Sequence, residues 1–177
     1  MQPIRGLTQC VLVASPLLAD DTFVRSVVHI LEHNEGGTMG IIINRPIPMS
    51  LGDVWDACPE PWKSLCHCCE GGPVDRHRGI MLHTGGVSGS VDLGTGIATG
   101  SEPEVLYAKL QHINPPPLRL FLGHAGWAPG QLEAELASGS WLLRRSHPRW
   151  ILHPQYRDAF WQELVQAGNP FPDGGIN

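Results

Sequence analysis

The sequence has no concentrated basic stripe. Its twelve Lys and Arg residues are scattered, and the densest spot, Arg144, Arg145 and Arg149, reads as a solvated sheet edge. A surface that grips a duplex must neutralise a row of phosphates. With a formal net charge of -5, the balance weighs against direct nucleic-acid binding. Charge of either sign is sparse. Only 16% of residues are Asp, Glu, Lys or Arg, against a usual value of about 25%, and this argues against long disordered stretches. Long apolar runs are missing too. The longest is Ile41 to Ile43 with its neighbours, far short of the roughly 20 residues a membrane span needs, so no membrane partner is expected. Met1 to Arg5 shows no charged segment leading into an apolar stretch, so no secretory leader is expected. Cysteine is limited to five, an odd number: Cys10, Cys58, Cys66, Cys68 and Cys69. Together these features point to reduced thiols and a cytoplasmic protein. No period of 20 to 50 residues repeats, which excludes a solenoid or propeller.

The sequence is otherwise that of a globular domain. It is 42% hydrophobic over 177 residues, and a chain of that length buries roughly 70% of its unfolded surface without staples. The 21 glycines and 16 prolines predict many short elements rather than a few long helices. Cys10 to Ala14 reads as a buried strand closed by Ser15-Pro16, and Leu17 to Arg25 as a loop or one helical turn. Ser26 to Glu32 and Met39 to Asn44 are β-branched runs around Asn34-Glu35-Gly36-Gly37, which predicts a hairpin, because Asn and Gly accept positive φ. Nearly every position of both arms is apolar, so both faces should be covered. Ser50 can cap a helix from Leu51 to about Ala57. Strands are expected around Gly71-Gly72-Pro73, over Arg78 to His83, and weakly over Gly96 to Thr99. Ser101-Glu102-Pro103-Glu104 fits a capping box opening a helix to about His112. A strand over Leu118 to Leu122, a loop over Gly123 to Gly130, a helix over Gln131 to Ala137 and a strand over Ser140 to Arg145 follow. The last helix is predicted over Pro154 to Ala167, with Tyr156, Ala159, Phe160 and Leu164 on one face. The fold class is α+β. One domain spans residues 6–168, built on a mixed, mostly antiparallel sheet able to curl towards a barrel, with three to four flanking helices and a loose tail over 169–177.

Three stretches could carry chemistry. Glu32-His33-Asn34 joins a carboxylate, an imidazole and an amide at a strand-to-turn junction. Neighbours on a strand point to opposite faces, however, so Glu32 and His33 should not act together. Gly123 to Glu133 is glycine-rich and leads into a helix, a setting that attracts anions. It lacks the Lys-Ser/Thr ending of a phosphate loop, and Trp127 should pack on the core. Cys66-His67-Cys68-Cys69 is a cluster of soft ligands with poor spacing for zinc, so neither a metal nor any other cofactor is expected. Cys10 should be an inert buried thiol, and Cys58, near a helix end, a more exposed one.

Taken in order, several of these segments resemble the YqgE/AlgH family of bacterial proteins. The matching pieces are Leu12-Val13-Ala14-Ser15-Pro16, Phe23 to Val28, Glu32-His33-Asn34-Glu35-Gly36-Gly37 and Met39 to Pro46. Gly71-Gly72-Pro73-Val74, Arg78-Gly79 with Leu82-His83, Ala125-Gly126-Trp127 and Gly130-Gln131-Leu132-Glu133 with Glu135-Leu136 continue the series. They cover about Gly6 to Gly168. The resemblance implies one α+β domain with a sheet-rich or barrel-like core. It also implies the label transcriptional regulator, with no catalytic residues assigned. The sequence departs from the family's pattern at His124, where tyrosine is expected, at Cys68-Cys69-Glu70, and at His147 with Trp150 to His153.

The leading expectation is therefore a non-enzymatic regulator that binds a protein partner or a small anionic ligand. Its candidate surface combines Glu32, His33, Asn34, Asn44, Arg45, Gly126, Trp127 and Gln131, polar and aromatic residues placed at turns on an apolar scaffold. Two alternatives stand beside it. One is a small hydrolase-like or thiol-dependent enzyme using His33 or His83 beside a carboxylate or thiol. The other is a redox sensor using Cys58, Cys66, Cys68 or Cys69.

Overall fold

The computed structural model describes residues 6–65, 67–153 and 157–168. After a short 3-10 turn at Leu7–Gln9 the chain enters β1 (Cys10–Ala14), all five residues of which are buried. The expected hairpin follows as β2 (Val27–Asn34) and β3 (Gly37–Ile42). Its register places His33 opposite Thr38 and Asn34 opposite Gly37, with a bulge at Leu31. Asn34 makes the turn, its Oδ1 accepting the Gly36 N–H at 2.7 Å. Coverage of both faces holds over Val27 to Leu31 and lapses towards the turn, where Glu32 and Asn34 are exposed.

Two single-turn helices, α1 (Leu51–Val54) and α2 (Glu60–Lys63), lead to β4 (Cys68–Glu70). Asp53 accepts from the backbone N and the Oγ of Ser50 at 2.7 and 2.8 Å, so the Ser50 cap is real, but α1 ends at Val54. Gly71-Gly72-Pro73 lies between strands rather than within one, and β5 (Val74–Thr84) begins immediately after it. Next come β6 (Val91–Asp92), β7 (Ile97–Thr99) and α3 (Pro103–Leu110). The cap of α3 is Glu102, one residue later than a Ser101 capping box requires. Ser101 instead donates its hydroxyl to Ser88 O at 3.2 Å.

The largest departure from expectation is β8, which runs from Leu118 to Trp127. The glycine-rich stretch expected as a loop is strand as far as Trp127. Gly123, at φ 75°, bends the strand without ending it. The sheet then finishes through α4 (Gln131–Ala137), β9 (Trp141–Arg145), α5 (Pro148–Leu152) and α6 (Arg157–Gln166). The four expected helices are present, and the single turns α2 and α5 add to them. On α6, Phe160 and Leu164 are buried while Ala159 is exposed. Tyr156 and the 169–177 tail lie outside the described residues.

The nine strands form one sheet in the order β6-β7-β5-β8-β3-β2-β1-β9, with β4 parallel beside β8 and every other pairing antiparallel. The sheet curls as a half-barrel, and no pairing joins β6 to β9 among the described residues. The bend in β8 makes this possible. Its first half, Leu118 to Leu122, pairs with β5, and Ala125 to Trp127 pairs with β3. At the bend, backbones touch. A Cβ on Gly71 would lie 2.3 Å from Gly123 O, one on Gly72 2.3 Å from the His124 carbonyl carbon, and one on Gly123 2.4 Å from Gly72 O. Only glycine permits this crossing.

Three apolar clusters hold the sheet in place. One packs Val11, Ile41, Ile43 and Phe121 under α5 and α6. A second packs Leu12, Ile42 and Trp127 under α4. The third packs Leu51, Trp62, Leu106 and Leu118 among α1, α2 and α3. Arg119 is buried in this interior without a carboxylate partner among the described residues. It donates to Ile151 O at 2.8 Å, His153 O at 3.1 Å and Ile43 O at 3.2 Å, and it contacts the Cys69 sulfur. It thereby ties β8 to β3, β4 and α5.

Candidate functional site

Strand β5 begins irregularly. Val74 pairs with His124, and the next pair is Gly79 with Leu122, so five steps along β5 face two along β8. The surplus residues, Asp75 to Arg78, bulge out of the ladder, and Asp75 takes φ 49°, a conformation uncommon for a residue with a side chain. The bulge holds Arg76, His77 and Arg78 exposed at the rim of a large cavity. That cavity measures about 800 Å³. Its lining from the sheet includes Leu31, Met39, Ile80, Met81, Leu120 and Leu122. Met49 and Trp55 close it from the α1 side.

The lining polarity is asymmetric. Glu32 is its one carboxylate, facing Arg76, His77, Arg78 and His124. Glu32 is already engaged, because the Asn34 amide donates to it. Arg76 leans towards Glu70 at 3.7 Å. Arg78 forms no ion pair among the described residues. The Nδ1 of His124 is buried without a hydrogen-bond partner. A smaller recess of about 390 Å³ adjoins this cavity, sharing Glu32, Met39 and His124, and is lined also by Asn34, Gly126 and Trp127.

The structure thus brings together Glu32, Asn34, Gly126 and Trp127 of the expected surface and disperses the rest. Met39 pairs with Glu32 on β2 and Gly126 on β8, which sets these residues side by side. His33 points to the opposite face. Its Nδ1 meets Thr38 Oγ1 at 2.7 Å and its Nε2 lies 3.4 Å from Glu133, an arrangement that fastens α4 to the hairpin. Gln131 is the first residue of the same helix. It accepts from Ala128 N at 3.0 Å and donates to Glu135 at 2.8 Å. The indole of Trp127 stacks with Phe23 and meets Trp141 edge-on, and both indole N–H groups donate to Glu135 at 2.8 Å.

Asn44 belongs to no surface. It is fully buried, its Oδ1 accepts from Val27 N at 2.9 Å, and its Nδ2 donates to Arg25 O and Arg157 O at 3.0 Å each. Its polarity satisfies strand-end backbone. Arg45 is half-buried and donates to Thr22 O. Burial, followed by the nearby Arg157, lowers its pKa from the usual arginine value.

The alternatives fare as follows. His83 is fully buried and its Nδ1 meets Thr84 O at 2.6 Å, with no carboxylate or thiol hydrogen-bonded to it among the described residues. Cys58, expected to be exposed, is buried beside Trp62 and Leu51. Burial pushes the thiols of Cys10, Cys58 and Cys69 up, away from the reactive thiolate, although Arg119 pulls Cys69 the other way. Cys68 and Cys69 point into different clusters, and Cys66 lies outside the described residues. Among the described residues no group of three His, Cys, Asp or Glu is placed to hold a metal, and no helix is long and apolar enough to cross a membrane. Sequence reasoning missed the basic bulge and the methionines. Arg76-His77-Arg78 in the middle of an apolar strand was the available signal.

Comparison with known proteins agrees with this architecture. The AlgH-like family DUF179 matches residues 11–170. A UPF0301 protein of Streptomyces coelicolor is 38% identical over 94% of this chain and 89% of its own. UPF0301 protein AlgH of Pseudomonas aeruginosa is 38% identical over 77% of this chain and 76% of its own. The solution structure of the AlgH protein from Pseudomonas aeruginosa superposes with a TM-score of 0.73 at 32% identity, covering 92% of this chain and 89% of that one. A crystal structure of a Corynebacterium diphtheriae protein gives 0.71 at 26% identity, covering 92% and 87%. On sequence and fold alike, this chain belongs to the AlgH-like family.

Proposed function

We propose that this protein is a cytoplasmic, non-catalytic regulator that acts by binding a small ligand in the concave cleft of its curled sheet. One observation carries the reading. The cleft has the size of a small-molecule site and is lined by apolar side chains with a few convergent polar groups. Catalysis is disfavoured because the residues bordering the cleft include no nucleophile paired with a base. The closest imidazole–carboxylate pair, His33 with Glu133, faces away from it. Direct DNA contact is disfavoured by the net charge of -5.

The test is native mass spectrometry of the purified protein after incubation with the small-molecule fraction of a bacterial extract. Met39→Trp, which fills the cleft, serves as the control. A bound mass on the wild type that disappears in the variant is expected. No bound mass, or one that persists in Met39→Trp, would overturn the reading.

A further inference from the structure

The chemistry of the cleft wall narrows the class of occupant. Met39, Met49 and Met81 come from three separate segments and all border this one cavity, with Trp55 beside them. Thioether side chains are unbranched and polarizable, and they adapt to flexible apolar shapes better than branched ones. At the mouth the polarity reverses. Arg76, His77 and Arg78 stand on the bulge, with the unpartnered Nδ1 of His124 nearby and Glu32 already bonded to Asn34. A chain of net charge -5 therefore keeps a local cationic rim over an apolar floor. The bulge that makes the rim departs from strand geometry at Asp75, and such departures cluster where a side chain must be re-aimed.

Resting on the binding role proposed above, we propose that the cleft takes a single-headed amphiphilic anion: a flexible apolar body lying against the methionines, and one anionic head, carboxylate or phosphate, held by Arg78. Arg78 is the head's partner because Arg76 leans on Glu70, which leaves Arg78 the arginine of the rim free of ion pairing among the described residues. A guanidinium can grip either head with two parallel hydrogen bonds.

The experiment titrates the full chain with decanoate, decyl phosphate, 1-decanol and butyrate by calorimetry, following Trp fluorescence in parallel. At least one decyl anion should bind ten-fold or more tightly than both 1-decanol, which lacks the charge, and butyrate, which lacks the body. Whichever of decanoate and decyl phosphate binds more tightly identifies the head. Arg78→Gln should weaken that anion by ten-fold or more and leave 1-decanol unchanged, while Arg149→Gln, at an exposed arginine outside the cleft lining, should change nothing. Equal binding of 1-decanol and the anions, an Arg78→Gln variant that binds as the wild type does, or no binding of either anion would overturn the inference. The two failures are separable. If the decyl probes fail while an extract ligand is still lost in Met39→Trp, the ligand class is wrong and the cleft keeps its role. If both fail, the binding role falls as well.

Discussion

Acid should destabilise this protein through one histidine. His29 lies midway along β2, opposite Val11 of β1 and Ile41 of β3, and is fully buried. Neither ring nitrogen has a well-formed hydrogen bond among the described residues. Burial lowers its pKa from 6.5 to about 4, opposed only by the Cys10 backbone. The unfolded chain therefore takes up this proton near pH 6.5, and the folded protein takes it up only near pH 4. Between those values the unfolded state binds more protons, so stability falls as the pH falls. A gap of about 2.5 pH units, at 1.36 kcal/mol each, amounts to roughly 3 kcal/mol by pH 4, of which about 2 kcal/mol is gone by pH 5. Below pH 4 the folded ring is protonated too, and this contribution stops changing.

The assay is urea unfolding followed by Trp fluorescence at pH 7, 6 and 5, on the wild type and on His29→Leu. The variant removes the titrating group and two orphaned ring nitrogens, so at pH 7 it should be near neutral or stabilising. Other titrating groups contribute equally to both proteins and cancel in the difference. The wild type should lose about 2 kcal/mol more than the variant between pH 7 and pH 5, a shift of roughly 5 °C for a domain of this size. Parallel pH profiles for the two proteins would refute the reasoning, whatever their absolute stabilities.

Three further perturbations test the frame of the site. Gly123→Ala adds a Cβ 2.4 Å from Gly72 O at φ 75°. Overpacking and a left-handed backbone together should lower the unfolding free energy by about 2–4 kcal/mol, seen as a lower urea midpoint. Asn44→Ala strands the Val27 N–H and two carbonyls at the end of the hairpin. A loss of about 2–3 kcal/mol is expected, with faster amide exchange at Val27. Glu135→Ala removes the shared acceptor of the Trp127 and Trp141 indoles. It should cost about 2–3 kcal/mol, and Glu135→Gln less, because one acceptor oxygen remains. An equal loss from both Glu135 variants would contradict the assigned hydrogen bonds.

The hairpin was legible in the sequence because Asn34-Glu35-Gly36-Gly37 carries its own turn chemistry between β-branched arms. The helix at Pro103–Leu110 was legible from the proline in its first turn. Strand β8 was misread past Leu122 because glycine signals a loop locally, whereas here Gly71, Gly72 and Gly123 serve a backbone crossing between segments some fifty residues apart. Cys58 was expected to be exposed because it follows a helix, but it is buried in the apolar cluster that also holds Trp62 and Leu51. Of the candidate surface, Glu32, Asn34, Gly126 and Trp127 lie together because β2 and β8 both pair with β3. The cleft was not legible, because Met39, Met49, Trp55, Arg78 and Met81 have no common periodicity and meet only through the curl of the sheet.

The glycine crossing at the bend of β8 has one more consequence. The backbone that carries the cationic rim is seated at this bend by main-chain atoms resting on main-chain atoms, so its position there does not depend on side-chain rotamers. The lining can therefore be re-cut, a methionine to leucine or an arginine to lysine, to alter selectivity while the backbone at the bend stays in place. This makes the scaffold a suitable frame for engineered receptors, with those three glycines as the positions a designer should leave alone.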